Sequence, residues 1–179
     1  MRQSGATLLE LLMVLAISAI LLGIAIPGFA AFSTSSRLAN TTNSMLASLH
    51  LARSEAIKRR GRAVLCPSST GTDCVAQGGW HLGWLLFHDA NNNAMRDDGE
   101  TVLLVQAGMP DGFRLTGNTP VARYISYTPT GAAQMISGAF QAGTLTVCNE
   151  AGSSGAAREI IISSTGRPRV VRTTLDACP

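Results

Sequence analysis

Three arginines lie within six residues near the C-terminus, in a pattern that can bind anions. They belong to the run Gly166-Arg167-Pro168-Arg169 and to position Arg172. A glycine permits a tight turn and a proline stiffens it, while guanidinium groups bind phosphate oxygens through paired hydrogen bonds. One interpretation is therefore a contact with a nucleic-acid backbone. The other is an exposed turn whose arginines are solvated or pair with Glu159, and the residues alone favour it.

A second cluster of polar residues has the spacing of a calcium loop of the EF-hand type. Its oxygen-bearing positions are Asp89, Asn91, Asn93, Met95 (through its carbonyl), Asp97 and Glu100. Ala94 stands at the sixth position, where such a loop uses glycine for a sharp turn, and no helical pattern precedes it. We favour a polar turn between two strands, with weak calcium binding as the alternative, and predict no metal site.

The cysteines indicate a domain outside the cytoplasm. Four are present, Cys66, Cys74, Cys148 and Cys178. An even count in an exported domain indicates two disulfides, which require an oxidising compartment. Three pairings are possible, and locality favours Cys66–Cys74 with Cys148–Cys178. A zinc site is disfavoured because no Cys-x-x-Cys occurs and the three histidines are scattered.

No pattern typical of catalysis occurs in the sequence. We find no serine–histidine–aspartate spacing, phosphate-binding glycine loop or paired-carboxylate motif. We therefore predict no enzyme, no cofactor and no small-molecule substrate. The formal net charge of +3 is too small by itself to indicate a nucleic-acid partner.

The N-terminal segment is apolar and contains one acid at its edge. Leu11–Phe32 is long enough to cross a bilayer as a helix. It is also longer than the apolar core of a signal peptide, and no good cleavage site follows it. Glu10 precedes this run, and a carboxylate in hydrocarbon is costly unless it finds a partner. An ordinary single-pass anchor is the alternative.

Helical periodicity continues beyond the apolar run, over residues 33–62. Pro27, with Gly23 and Gly28 nearby, predicts a bend, and a helix end at Ile26 is the alternative. Gly61 is expected to end the helix. The stripe that should pack on the rest of the chain consists of Leu38, Thr42, Met45, Leu49, Ala52 and Ala56.

Residues 63–179 predict a β-rich head. Short strand-like runs alternate with turns rich in glycine, proline and asparagine. The runs are Ala63–Cys66, Trp84–His88, Thr101–Gln106, Tyr124–Tyr127, Thr144–Cys148, Glu159–Ser163 and Val170–Arg172. Because no helical pattern separates them, we expect antiparallel sheets covered by the long helix, an α+β fold. Trp80 and Trp84 are expected in the core.

The N-terminus resembles the class III leader of type IV pilins and pseudopilins. The resemblance lies in Gly5-Ala6-Thr7-Leu8-Leu9-Glu10 and the apolar helix that follows. It implies that residues 1–5 are a leader, that a prepilin peptidase cuts between Gly5 and Ala6, and that Ala6 is then N-methylated. Ala6 stands where Phe or Met is common. Residues 6–32 would form the transmembrane and filament-core helix. Glu10 would pair there with the terminal amine of a neighbouring subunit.

Further segments resemble the GspH/FimT branch of pseudopilins and minor pilins. They are Leu51–Arg59, Leu65–Ser68, Gly83–Asp89 and Asp98–Glu100. With the leader, the resemblance covers nearly the whole chain. It implies a type IV pilin-like fold, an inner-membrane anchor, a head in the periplasm and other pilins as partners.

The arginine run itself resembles the G-R-x-R loop of FimT-type minor pilins, which bind DNA during natural transformation. The resemblance makes DNA a predicted partner, bound through Gly166, Arg167, Arg169 and Arg172. The alternative is a type II secretion pseudopilin H with no DNA role.

Overall fold

The computed structural model describes residues 7–75, 79–150 and 155–179, apart from the side chains of residues 27, 30 and 31. The chain divides into two compact units, residues 1–37 and 38–179. The predicted cut between Gly5 and Ala6 lies outside the described residues.

The first unit is the N-terminal part of helix α1, which spans Leu8–Arg59. Thr7 caps the helix, because the backbone N–H of Glu10 donates to Thr7 Oγ1 over 3.3 Å. The segment Leu8–Ile26, of mean hydropathy 2.6, is long and apolar enough to cross a membrane. Helix α1 continues past Ile26, so the alternative of a helix end there is wrong. The bend at Pro27 stays a prediction.

The end of α1 differs from the expectation about Gly61. Arg60 takes the left-handed conformation (φ +53°) that closes the helix. The N–H groups of Arg60 and Gly61 donate back to the carbonyls of Ile57 and Ala56, which is a Schellman motif. Gly61 serves another purpose, since a side chain there would overlap the imidazole of His88.

Two four-stranded antiparallel sheets form the second unit together with the C-terminal part of α1. The first has the order β3-β2-β1-β5, and the second has the order β4-β6-β7-β8. The strands are β1 (Arg62–Pro67), β2 (Gly83–Asp89), β3 (Val102–Ala107), β4 (Phe113–Gly117), β5 (Ile125–Tyr127), β6 (Gly143–Asn149), β7 (Gly155–Ile162) and β8 (Pro168–Leu175). Short 3-10 helices span Trp80–Leu82 and Thr119–Val121. Strand β4 is absent from the predicted runs.

The core of this unit lies between the helix and both sheets. All six stripe residues, from Leu38 to Ala56, are buried in it, as the helical periodicity predicts. The two tryptophans are buried as well, and each finds an acceptor for its indole N–H. Trp80 donates to the carbonyl of Val121 over 2.9 Å, and Trp84 donates to Ser48 Oγ over 3.0 Å.

Disulfides close two parts of the head. Cys66 is bonded to Cys74, and Cys148 is bonded to Cys178. These are the pairs that locality favours. The first bridge holds the segment after β1, and the second ties the C-terminus to β6. The fold is therefore α+β, with one long helix on antiparallel sheets.

Candidate nucleic-acid interface

The arginine run forms the turn between β7 and β8. These strands pair antiparallel from Gly155–Leu175 to Ile162–Pro168. Residues 163–167 connect them. The N–H of Gly166 donates to the Ser163 carbonyl over 2.8 Å, and the N–H of Ser163 donates to the Arg167 carbonyl over 3.2 Å. Gly166 has φ +77°, a conformation that glycine adopts without the strain of other residues.

The turn is held against the loop at residues 128–133. A methyl group on Gly166 would overlap the carbonyl oxygen of Gly131 and would lie 3.0 Å from the ring of Tyr127. It would also lie 3.1 Å from the backbone nitrogen of Ala133. Gly166 is therefore required by close approach as well as by φ. Because the turn has this support, the backbone that carries Arg167 and Arg169 is held in place.

Arg167 and Arg169 are exposed. Among the described residues, no ion pair joins either guanidinium group to an acid. Glu159, the acid considered from the sequence, lies on the same face of the hairpin as Arg169 but pairs with Val171 across the strands. Both guanidinium groups thus remain available to an external anion.

Arg172 does not join Arg169 on one face. Side chains alternate along a strand, and β8 pairs with β7 without a shift of register. Three residues therefore place Arg169 and Arg172 on opposite faces of the sheet. Arg172 lies opposite Arg158 instead, a residue that the sequence does not single out.

Arg53 of α1 also lies close to this region, and the sequence gives no signal of it. A methyl group on Gly131 would lie 2.9 Å from Arg53 Nε, so the loop that supports the turn also contacts Arg53. Tyr127 is buried beside them, and its hydroxyl has no hydrogen-bond partner among the described residues. Burial raises the pKa of Tyr127 well above its ordinary value, and the charge of Arg53 opposes this shift only in part.

Three basic residues at the end of α1 and the start of β1 already have partners. Lys58 and Arg59 pair with Glu55 at 3.3 and 2.6 Å. The hydrogen bond from Arg59, with a smaller contribution from Lys58, lowers the pKa of Glu55. Arg62 donates to Ser126 Oγ and to the Gln134 carbonyl, each over 2.9 Å. These pairs leave less charge for a ligand than the sequence suggests.

The carboxylates at the two ends of the loop from Asp89 to Glu100 accept hydrogen bonds from the loop's own backbone. Asp89 accepts the backbone N–H groups of Asn92 and Ala94 over 2.6 and 2.9 Å. Glu100 accepts those of Ala90 and Asp97 over 2.7 and 3.1 Å. Hydrogen bonds from the Asn91 and Asn93 side chains lower the pKa of Asp97. Within the described ranges, no group of three or more acidic, histidine or cysteine side chains is placed to hold a metal.

Glu10 lies in the first turn of α1, and its side chain is exposed. No ion pair joins it to another residue that the structure describes. A carboxylate at this position interacts favourably with the partial positive charge of the helix N-terminus. It is free to meet a cation from outside the chain.

Known proteins share both the sequence pattern and the fold. Residues 41–166 match the family described as type II transport protein GspH, and residues 1–26 match the prokaryotic N-terminal methylation motif. The pilin-like protein PilA1 of Thermus thermophilus is 31% identical over 180 residues, covering 95% of this chain and 99% of that protein.

Two crystal forms of the type IV minor pilin FimU of Pseudomonas aeruginosa share the fold. One has a TM-score of 0.58 at 19% identity, over 78% of this chain and 92% of FimU. The other has a TM-score of 0.56 at 19% identity, over 75% of this chain and 92% of FimU.

The apolar N-terminal helix, the two-sheet head and these matches define a type IV minor pilin or pseudopilin, a structural subunit of a filament. The chain belongs to the GspH family. Membership and the N-terminal motif imply processing by a prepilin peptidase and assembly with other pilins.

Proposed function

We propose that this chain is a minor pilin that binds DNA through the β7–β8 turn during natural transformation. The observation that carries the proposal is the supported turn with two exposed arginines, Arg167 and Arg169, that have no acidic partner among the described residues. Gly166 supports the proposal because it seats the turn on the Gly131 loop. Arg172 extends the same hairpin on its other face.

The chemistry of the turn suits a phosphate backbone. Guanidinium groups remain charged at any physiological pH and bind phosphate oxygens in pairs. Contacts of this kind position a protein on DNA without reading its sequence. Each neutralised phosphate releases counterions, so affinity should fall as salt rises, with a slope of about −0.9 per contact for duplex DNA.

A salt titration of DNA binding tests this proposal. We expect the full chain, purified in a non-ionic detergent, to bind duplex DNA less tightly as salt increases. Replacing Arg167 and Arg169 by Gln should make the slope of log affinity against log salt shallower by about 1.8, two contacts at about 0.9 each. The matched control replaces Lys58 and Arg59 by Gln, because both residues already pair with Glu55. Equal slopes for the Arg167/Arg169 variant and the wild type would refute the assignment.

We also propose the assembly role of the N-terminus. The cut falls between Gly5 and Ala6, Ala6 is methylated, and Glu10 pairs with the terminal amine of the next subunit. The position of Glu10 within the apolar segment Leu8–Ile26 supports this, because an unpaired carboxylate is costly there. The segment anchors the precursor in the inner membrane and leaves the disulfide-bonded head in the periplasm.

Mass spectrometry of the mature N-terminus and filament incorporation of Glu10→Leu test this role. Retention of residues 1–5, or normal incorporation of Glu10→Leu, would contradict it.

The second candidate is a pseudopilin of a type II secretion system, favoured by the description of the matching family. A minor pilin that only primes assembly is a third. Both use the same anchor and the same Glu10 pairing, so only the arginine turn separates them from the first. If Arg167→Gln/Arg169→Gln reduces protein secretion and leaves DNA binding unchanged, the secretion role is correct.

A further inference from the structure

Arg158 and Arg172 face each other across β7 and β8. The register places them directly opposite, where like charges destabilise a sheet unless an anion separates them. Arg158 is half-buried and Arg172 is exposed. No ion pair or hydrogen bond joins either guanidinium group to another described residue.

The pair lies where the core-facing side of the second sheet extends beyond its cover. One row across this sheet runs from Leu115 to Val147 and on to Arg158 and Arg172. Leu115 and Val147 are fully buried, whereas the two arginines occupy the increasingly exposed end of the row. At the exposed end of this row, the positions that would otherwise continue the apolar core are therefore occupied by arginines.

The two rows of the sheet beside the pair on this face carry no counter-charge. The neighbouring rows on this face are Ile160–Val170 and Ala156–Thr174, and both are uncharged. Glu159 projects from the opposite face because side chains alternate. An anion from outside the chain would neutralise the pair.

We propose that Arg158 and Arg172 form a second phosphate-binding site for the same DNA, on the core-facing side of this hairpin. This inference rests on the proposed DNA binding of the turn. Arg172 lies four positions after Pro168 at the turn, or about 13 Å along the strand at roughly 3.3 Å per residue.

Arg158→Gln tests the second site in the detergent-solubilised full chain with duplex DNA as the probe. Loss of one phosphate contact should make the salt slope shallower by about 0.9. Between 50 and 200 mM salt, the wild type should then lose about 3.5-fold more affinity than the variant. Arg158→Lys should restore the slope. Arg114→Gln is the matched control, because Arg114 pairs with Glu150 on the other face of the sheet.

The outcomes separate this inference from the function on which it rests. If Arg158→Gln keeps the wild-type slope while Arg167→Gln/Arg169→Gln loses it, the second site is wrong and the turn remains correct. If the wild type binds no DNA, both fail. The thermal midpoint without DNA should stay unchanged or rise in Arg158→Gln, whereas a structural role would lower it. Should Arg158→Gln misfold, Arg172→Gln gives the same measurement from an exposed position.

Discussion

The contact between the arginine turn and the Gly131 loop predicts a large effect of Gly166→Ala. An alanine at φ +77° incurs roughly 1–2 kcal/mol of backbone strain. Its methyl group would also overlap the Gly131 carbonyl, and forcing extra atoms into a packed site costs about 1–3 kcal/mol. The free energy of unfolding should therefore fall by about 2–5 kcal/mol. The β7–β8 turn should be displaced in the molecules that remain folded.

Urea unfolding followed by tryptophan fluorescence measures this effect, because both tryptophans lie in the core of the head. Gly138→Ala is the matched control, since Gly138 has φ +88° and no atom within 4 Å of the added methyl group. Gly138→Ala should therefore lower the free energy of unfolding by the backbone strain alone, about 1–2 kcal/mol. Gly155→Ala has neither feature and should change stability by less than about 0.5 kcal/mol. If Gly166→Ala costs no more than Gly138→Ala, the turn does not pack as described.

Two further predictions concern buried polar groups. Tyr127→Phe should raise the free energy of unfolding at neutral pH, because it removes a buried hydroxyl without a described partner, a penalty of about 1–3 kcal/mol. The folded-state pKa of Tyr127 is raised, so wild-type stability should decline as pH rises above about 10, where the unfolded tyrosine ionises. Tyr127→Phe should lack this loss of stability at high pH. If urea titrations at pH 8 and pH 11 show the same decline in the free energy of unfolding for both proteins, this reasoning is wrong. Ser48→Ala should cost about 1–3 kcal/mol, because the Trp84 indole loses its acceptor. Ser54→Ala, on an exposed position, should have almost no effect, and equal losses for the two would contradict the assignment.

The sequence predicts the helix and most of the strands because local patterns determine them. The stripe from Leu38 to Ala56 follows the helical period, and every member is buried. Strand β4 is missing from the predicted runs because Phe113–Gly117 contains only two apolar residues and ends in glycine, which is depleted in strands. At the end of α1, glycine preference indicates Gly61, whereas the left-handed position belongs to Arg60.

The site was less predictable because it depends on contacts between distant segments. The glycine and the two arginines of the turn are visible in sequence, but the seat on Gly131 joins loops about 35 residues apart. Arg158 could be found only from the register of β7 and β8, which the length of the turn decides. The same register separates Arg172 from Arg169, although the sequence groups them.

The outer position of β8 in its sheet has a consequence for handling the protein. Its outward backbone groups have no neighbouring strand in the second sheet, and such strands invite association with other chains. Arg169 and Arg172 flank this strand from its two faces, and charge at such places deters association. Variants that lose the charge of Arg169 or Arg172 should therefore aggregate more readily at high concentration. Light scattering should accompany every measurement on these variants.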